Sequence, residues 1–177
     1  MNKNVSPPGI SISLLPTSVL GPVWVAVTPT GLAALDIQVG REHFIKDLKK
    51  RGFMDISEDS EMSVEAASQV ADYLEGKRRS FDFPIDWDVL RPFQRQVLQS
   101  TYAIPYGQTA TYAEIAVRVG KPRAARAVGR AEATNPMPLV IPCHRVLGSD
   151  GKLHGYGAAN GLETKAWLLR MEAGEGS

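Results

Sequence analysis

The sequence predicts an α/β (α+β) protein in two parts: a small sheet with helices over residues 1–87, and a mainly helical part over residues 88–177. Alternating apolar segments come early in the chain, and segments with helical spacing dominate its later part. Between these regions, residues 77–92 contain two prolines and show no clear period. At 177 residues, 44% hydrophobic and 22% charged, the chain can form one large or two small packed domains.

The sequence of the first part predicts a loose polar arm, a strand, a hairpin, and two helices separated by an acidic loop. Leu35, Ile37 and Val39 alternate after the turn residues Thr28-Pro29-Thr30-Gly31, a pattern typical of a β-hairpin. A glycine follows each helical segment and marks its end. The expected bounds are 1–9 for the arm, 10–15, 23–28 and 32–39 for the strands, 41–50 and 63–75 for the helices, and 55–61 for the loop.

The sequence of the second part predicts four helices and a long glycine-rich loop. Pro92 lies in the first turn of the first of these helices, where proline is well tolerated. The next two are short and flank Gly120-Lys121-Pro122, which fits a helix-turn-helix. The last has Leu162, Ala166 and Leu169 along one side, and we expect that side to be buried. The expected bounds are 93–103, 112–119, 123–133 and 162–172 for the helices and 148–161 for the loop.

Basic residues concentrate in the second part of the chain. Residues 1–87 have a net charge of −3, whereas residues 88–172 have a net charge of +5. In a helix that starts near Arg123, the side chains of Arg126 and Arg130 share its face, with alanines and a glycine between them. Such a face can approach a phosphate backbone closely, although a solvated basic helix gives the same pattern. We therefore expect a nucleic-acid partner.

Cys143 is the only cysteine in the chain, so no intramolecular disulfide can form and no multi-cysteine zinc site can be built. The only histidines are His43, His144 and His154, and we expect no bound metal. Cys143 is then either a small buried hydrophobe or a reactive thiol. His144 and Arg145 follow it at once and are groups that can stabilise a thiolate, but the residues alone leave both readings open.

The sequence also predicts a cytoplasmic protein without a membrane partner. No stretch reaches the roughly 18 apolar residues that a membrane-spanning helix needs. The first ten residues, MNKNVSPPGI, lack the apolar core of a secretory signal.

Several motifs occur in a fixed order along the second part. They are Pro92-Phe93-Gln94, Ile104-Pro105-Tyr106-Gly107, Ala124-Ala125-Arg126-Ala127-Val128-Gly129, Asn135-Pro136, Pro142-Cys143-His144-Arg145-Val146, and Trp167-Leu168-Leu169 with Glu172. In this order they resemble the methylated-DNA–protein-cysteine methyltransferases, which repair 6-O-alkylguanine directly. The resemblance covers residues 92–172, about half of the chain, and the first half matches only loosely.

The resemblance implies a fold for each part. The first would be a small ribonuclease-H-like domain, and the second a winged helix-turn-helix domain that binds DNA and accepts the alkyl group. The segment 141–146 resembles the family's active-site strand and turn. The recognition helix would enter the minor groove, unlike that of most helix-turn-helix proteins.

The resemblance also assigns catalytic roles to five residues. Cys143 would accept the alkyl group, and His144 would draw off the thiol proton through a water molecule. Glu172 would orient His144, and Asn135 would hold the active-site turn. Tyr112 would help to rotate the nucleotide and would donate a hydrogen bond to the departing guanine. The thioether product is not readily cleaved, so each molecule would act once.

DNA recognition would combine base extrusion with a pocket for the extruded base. Arg126 would fill the gap that the base leaves in the stack. The DNA-contacting residues implied by the resemblance are Tyr112, Arg123, Ala125, Arg126 and Arg130. The implied pocket residues are Gly129, Pro138, Val146, Tyr156 and Gly157.

The resemblance implies no cofactor, because the damaged DNA itself is the alkyl donor. Some relatives bind zinc in the first domain, but this chain has no cysteine there, so we expect no metal. We expect double-stranded DNA with alkylated guanine as the partner of a monomer that can assemble cooperatively on DNA. Two alternatives are a damage sensor that flips bases without chemistry, and a cysteine hydrolase or peptidase. The hydrolase is disfavoured because no oxyanion-hole motif is evident.

Overall fold

A computed structural model describes residues 8–175. Of the polar arm expected over residues 1–9, residues 1–7 lie outside the described part. The chain divides into two compact units, residues 1–86 and residues 87–177. The predicted α/β architecture is confirmed, with a sheet and helices in the first unit and a mainly helical second unit.

The first unit contains a four-stranded sheet in the order β3-β2-β1-β4. The pairs β1–β2 and β2–β3 are antiparallel, and β4 runs parallel to β1. Strands β1 and β2 have the predicted bounds, and every residue of β2 is buried. The strands are β1 (Ile10–Leu15), β2 (Val23–Thr28), β3 (Gly31–Ile37) and β4 (Ile56–Glu58).

Two predictions for the sheet were wrong. Strand β3 ends at Ile37 rather than Val39, because Gln38 turns the backbone with a φ of +62° and donates its N–H to the carbonyl of Pro22 at 2.8 Å. The acidic loop expected over residues 55–61 contains β4. This edge strand is only three residues long, and its pairing with β1 spans more than forty residues of sequence, so no local pattern reveals it.

Two helices accompany this sheet. Helix α1 (Arg41–Lys50) has the predicted bounds and buries Phe44 and Leu48. Helix α2 (Glu61–Leu74) begins two residues earlier than expected, because the Ser60 side chain accepts a hydrogen bond from the Ser63 backbone N–H at 3.2 Å.

Gly31 allows the end of the first unit to pack tightly against the hairpin. Its φ is +149°, and a Cβ there would lie 2.4 Å from the carbonyl oxygen of Pro84. The backbone N–H of Leu32 donates to that same oxygen at 2.9 Å, and Asp86 N–H donates to Leu32 O at 2.9 Å. A side chain at position 31 is therefore excluded by sterics.

The second unit contains the helices α3 (Pro92–Tyr102), α4 (Tyr112–Arg118), α5 (Ala125–Ala133) and α6 (Leu162–Glu172). Two strands that were not predicted, β5 (Ala110–Thr111) and β6 (Val146–Leu147), pair in parallel. Short 3₁₀ helices span Trp87–Val89 and Cys143–Arg145. Val97, Ile115 and Val128, one each from α3, α4 and α5, are fully buried in a common core, as a helix-turn-helix requires.

Two further expectations for this unit were wrong. Helix α5 begins at Ala125 with Ala124 as its N-cap, so Arg123 precedes the helix instead of opening its basic face. Of the strand and turn that the resemblance implies over residues 141–146, the strand is wrong: residues 143–145 form the 3₁₀ helix, and only Val146 belongs to a strand. Pro142 lacks the backbone N–H that a strand ladder uses.

Helix α6 has the predicted bounds but buries a different face. Leu162 is 46% exposed, whereas Lys165, Leu168 and Glu172 are buried. The charged side chains are buried because they find polar partners inside the unit. Across residues 8–175, none of the helices is long and apolar enough to cross a membrane.

Candidate active site

Cys143 lies at the start of the 3₁₀ helix that follows a proline-rich turn, and only 7% of its surface is exposed. Leu139 in that turn adopts a φ of +71°, which is unfavourable for a branched side chain. The turn closes through a hydrogen bond from Ile141 N–H to Met137 O at 2.9 Å. The chain thus presents the thiol from a short, tightly constrained segment.

Asn135 holds both the thiol and the turn. Its Nδ2 donates to Cys143 Sγ at 3.3 Å and to the carbonyl oxygen of Ile141 at 2.9 Å. Its Oδ1 accepts a hydrogen bond from Met137 N–H at 3.0 Å. One amide side chain therefore fixes the sulfur relative to the turn.

Burial raises the pKa of the Cys143 thiol to about 12, and the charge of Glu132 acts in the same direction. The hydrogen bond from Asn135 and the charge of Lys165 act in the opposite direction. At neutral pH the sulfur is consequently a thiol, and it becomes a strong nucleophile only when its proton is removed.

His144 and Glu172 form a pair with both side chains at 0% exposure. His144 Nε2 lies 2.8 Å from Glu172 Oε1. Since an ionised carboxylate only accepts hydrogen bonds, we assign the hydrogen to Nε2, which leaves Nδ1 as the ring atom able to take a proton. Burial lowers the pKa of His144, so the ring is neutral at neutral pH and can act as a base.

The side chain of Arg145 binds the carboxylate of Glu172 rather than the Cys143 thiol. The expectation that Arg145 stabilises a thiolate is therefore wrong. Its Nε donates to Glu172 Oε2 at 2.9 Å and its Nη2 to Glu172 Oε1 at 2.9 Å. Its Nη1 donates to the carbonyl of Ile104 at 2.6 Å. Gly107 N–H adds a further hydrogen bond to Glu172 Oε2 at 3.0 Å. The carboxylate is thereby charge-balanced and fixed beside His144.

The pairing of β5 with β6 brings Tyr112 towards the cysteine segment. Tyr112 directly follows β5, while β6 directly follows the Cys143–Arg145 helix. The hydroxyl of Tyr112 donates to the carbonyl oxygen of His154 at 3.0 Å. Burial, together with the charges of Glu132 and Cys143, raises the pKa of Tyr112 to about 12. The hydroxyl is therefore a hydrogen-bond donor at neutral pH.

Lys165 is a member of this site that sequence reasoning missed. It is fully buried, and its Nζ donates to Val146 O at 2.7 Å and to His154 O at 2.8 Å. Its ammonium lies 5.8 Å from the centre of the Tyr112 ring. Leu168 and Glu172 follow Lys165 by three and seven residues, which places all three on one helix face. This spacing is the feature of the sequence that could have placed Lys165 beside Glu172.

The second helix of the helix-turn-helix presents exposed arginines. Arg126 and Arg130 lie four residues apart on α5, and Arg123 is exposed in the preceding turn. A cavity of about 530 Å³ lies beside this helix. It is lined by Tyr112, Ala113, Ala125, Arg126, Gly129, Gly148, Ser149, Asp150, His154 and Gly155.

Of the five expected pocket residues, only Gly129 lines this cavity. Pro138 and Val146 are buried around the cysteine segment. The hydroxyl of Tyr156 is buried and has no hydrogen-bond partner within residues 8–175. A Cβ on Gly157 would lie 3.1 Å from the carbonyl of Ala133, so the glycine-rich loop passes close to the end of α5. Among the described residues, no group of three or more His, Cys, Asp or Glu side chains could hold a metal.

Comparison with known proteins gives one consistent result. Residues 13–87 match the family described as 6-O-methylguanine DNA methyltransferase, ribonuclease-like domain, and residues 92–174 match its DNA-binding domain. A methylated-DNA–protein-cysteine methyltransferase of Methanosarcina barkeri is 45% identical over 88% of this chain and 92% of its own length. A methylated-DNA–protein-cysteine methyltransferase of Salmonella typhimurium is 37% identical over 86% of this chain and 90% of its own length.

Solved structures agree with the sequence comparison. The O6-methylguanine methyltransferase of Mycobacterium tuberculosis superimposes with a TM-score of 0.75 and 32% identity, covering 95% of each chain. Mycobacterium tuberculosis OGT in complex with DNA superimposes with a TM-score of 0.73 and 33% identity over 95% of this chain and 94% of that one.

Proposed function

Because the chain belongs to the 6-O-methylguanine DNA methyltransferase family, we propose that it repairs DNA by moving the alkyl group of 6-O-alkylguanine onto Cys143 Sγ. The observation that carries this proposal is the setting of the thiol. Asn135 holds the sulfur at 3.3 Å, and the next residue, His144, is paired with Glu172. This combination supplies a nucleophile, a base and a group that orients the base.

Access to the damaged base is the first step. A stacked and paired guanine is out of reach of a protein thiol, so the nucleotide is extruded from the duplex. Helix α5 lies in the minor groove and inserts Arg126 into the gap in the stack. The exposed side chains of Arg123 and Arg130 contact phosphates, and Ala125 allows the helix to approach the backbone closely.

The chemical step is a displacement at the alkyl carbon. The thiol proton passes through a water molecule to His144 Nδ1, and the sulfur electron pair forms the bond to carbon. The C–O6 bond breaks, its electron pair goes to the guanine, and the guanine takes up one proton, which the protonated His144 then releases through water. Tyr112 exchanges its hydrogen bond to His154 for one to the departing base. Glu172, held by Arg145, stabilises the protonated imidazole.

We place the extruded base against Gly129, Pro138, Val146, Tyr156 and Gly157, of which only Gly129 lines the cavity beside α5. The product is a thioether at the only cysteine of the chain, so each molecule acts once. We assign DNA binding and alkyl transfer to residues 88–177, with residues 1–87 as a separate domain. The protein acts in the cytoplasm, where it has access to chromosomal DNA.

Mass spectrometry tests the proposal directly. After incubation with a duplex that contains 6-O-methylguanine, the intact protein should gain the mass of one methyl group, and peptide mapping should place it on Cys143. A protein that binds this duplex while Cys143 stays unmodified is a damage sensor rather than a transferase. Repeated turnover of a chromogenic ester would instead identify a hydrolase.

Arg126→Ala should impair repair of a methylated duplex more than reaction with free 6-O-alkylguanine base. The arginine acts only where a base must leave the stack. We therefore expect the single-turnover rate on duplex to fall roughly tenfold or more, which corresponds to about one or two kcal/mol of added free energy for base extrusion. Single-turnover rates on both substrates provide the measurement. Equal loss on both would show that Arg126 acts on the chemistry or the fold.

A further inference from the structure

The side chain of Gln94, on α3, binds the end of α5. Its Nε2 donates to the carbonyl oxygen of Thr134 at 2.9 Å and to the Thr134 hydroxyl at 3.0 Å. An amide nitrogen has two hydrogens, one for each contact, whereas an amide oxygen in its place would face the carbonyl with no hydrogen to share. Gln94 precedes the buried residues Val97 and Leu98 by three and four positions, so it lies on the face of α3 that enters the core.

Helix α5 depends on such a contact because it has no glycine cap. It ends at Ala133 with Thr134 as its C-cap, and neither Thr134 nor Asn135 has the positive φ that closes many helices. Carbonyl groups in the last turn of a helix have no partner within the helix. The Thr134 hydroxyl donates to the carbonyl oxygen of Arg130 at 3.0 Å, and Gln94 donates to the carbonyl oxygen of Thr134 itself. Side chains therefore complete the last turn of α5, and Gln94 supplies one of them from another helix.

The peptide group that Gln94 binds leads directly to Asn135. The carbonyl of Thr134 and the N–H of Asn135 belong to one planar peptide unit. Gln94 donates to the oxygen of this unit, and its N–H donates to the carbonyl oxygen of Glu132 at 3.0 Å. Both polar groups of the unit are thus fixed, which constrains the direction in which the Asn135 side chain leaves the backbone.

Asn135 in turn connects this peptide unit to the thiol. Its Nδ2 donates to Cys143 Sγ at 3.3 Å and to the carbonyl oxygen of Ile141 at 2.9 Å. A continuous path therefore joins Gln94 to the sulfur: one hydrogen bond to the peptide unit, the Asn135 side chain, and one hydrogen bond to Sγ.

We propose that Gln94 is a positioning residue for alkyl transfer, because it holds the peptide unit before Asn135 so that Asn135 keeps its hydrogen bond to the Cys143 sulfur. The inference rests on Cys143 being the alkyl acceptor. The buried side chain of Val128 anchors the middle of α5 in the core, and Gln94 holds the end of the helix from which Asn135 follows. Without Gln94 the sulfur is held less precisely, and displacement slows because in-line attack depends on the position of the nucleophile.

The test measures single-turnover methyl transfer in the wild-type protein and in Gln94→Met, whose side chain has a similar length but no hydrogen-bond donor. We expect the rate at saturating methylated duplex to fall about three- to tenfold, the usual effect of one lost hydrogen bond. The rate with free 6-O-methylguanine should fall by the same factor, because both reactions use the same thiol. The duplex concentration that gives the half-maximal rate should change by less than about twofold, because the arginines of α5 are unaltered.

Two matched variants separate the hydrogen bond from the bulk of the side chain. Gln94→Lys restores a donor, and a cation is favoured beside the carbonyl groups at the end of a helix. Its rate with the free base should therefore stay within about twofold of the wild-type rate. Gln96→Met makes the same change as Gln94→Met at an exposed position of α3, and it should match the wild-type protein on both substrates.

A double-mutant cycle with Asn135→Ala shows whether Gln94 acts through Asn135. If it does, adding Gln94→Met to Asn135→Ala should lower the transfer rate by less than about twofold, although each change alone lowers it more strongly. Fully additive losses would contradict the inference. Thermal unfolding shows whether each variant is folded at the assay temperature. If Asn135→Ala does not fold, the comparison of Gln94→Met with Gln94→Lys decides, and equal rates for the two would count against a role of the hydrogen bond.

A wild-type transfer rate in Gln94→Met, with only the thermal stability reduced, would overturn the inference, because Gln94 would then be a helix cap without influence on the thiol. A loss confined to the duplex substrate would overturn it too, since Gln94 would then act on DNA binding or base extrusion. In both cases the wild-type protein still takes the methyl group from DNA, and the proposed function survives. If the wild-type protein itself leaves Cys143 unmodified, the proposed function fails and the inference fails with it.

Discussion

Cys143→Ala should abolish alkyl transfer from a duplex containing 6-O-methylguanine. The chain has no other cysteine, and no neighbouring side chain can form an equivalent stable thioether. Single-turnover transfer of a labelled methyl group should fall to the background seen without protein. Any transfer above that background, located on another residue, would mean that the acceptor is misassigned.

The same variant should still bind DNA. Removal of the sulfur leaves a small space in the turn and the loss of one weak hydrogen bond from Asn135, which costs about 1 kcal/mol of stability. Fluorescence anisotropy with the methylated duplex should therefore give an affinity close to that of the wild-type protein. Loss of binding together with transfer would show that the variant has failed to fold, and thermal unfolding checks this independently.

Glu172→Gln should lower the free energy of unfolding by about 3–5 kcal/mol, the usual effect of removing one partner from a buried ion pair. Glutamine has nearly the same shape as glutamate, but the variant leaves the buried guanidinium of Arg145 without a carboxylate partner. It also removes the negative charge that stabilises a protonated His144, so alkyl transfer should slow as well. Urea unfolding at fixed pH measures the first effect, and single-turnover kinetics on methylated duplex measures the second.

Glu163→Gln provides the matched control, because it makes the same chemical change at an exposed site on the same helix. We expect its stability to change by less than about 0.5 kcal/mol. If both variants unfold at the same urea concentration, Glu172 does not stabilise the second unit through Arg145.

Much of the local structure could be predicted from the sequence. The bounds of β1, β2, α1 and α6 agree with the expected ones. The first three of these elements are specified by apolar periodicity and by glycines or turn residues near their ends, which are properties of neighbouring residues. For α6 the sequence predicts the bounds but not the buried face. The ordered motifs from Pro92 to Glu172 likewise identified the family, because residue type and spacing are visible without coordinates.

The tertiary structure alone decided which distant segments pair and which face of α6 is buried. The strand pairs β1–β4 and β5–β6 join segments far apart in the chain. The buried face of α6 differs from the expected one, because Lys165 and Glu172 find their partners 19 and 28 residues away, in Val146 and His144. Periodicity reports whether a residue is apolar, but a charged residue is buried when a distant partner compensates its charge, and only the folded chain supplies that partner.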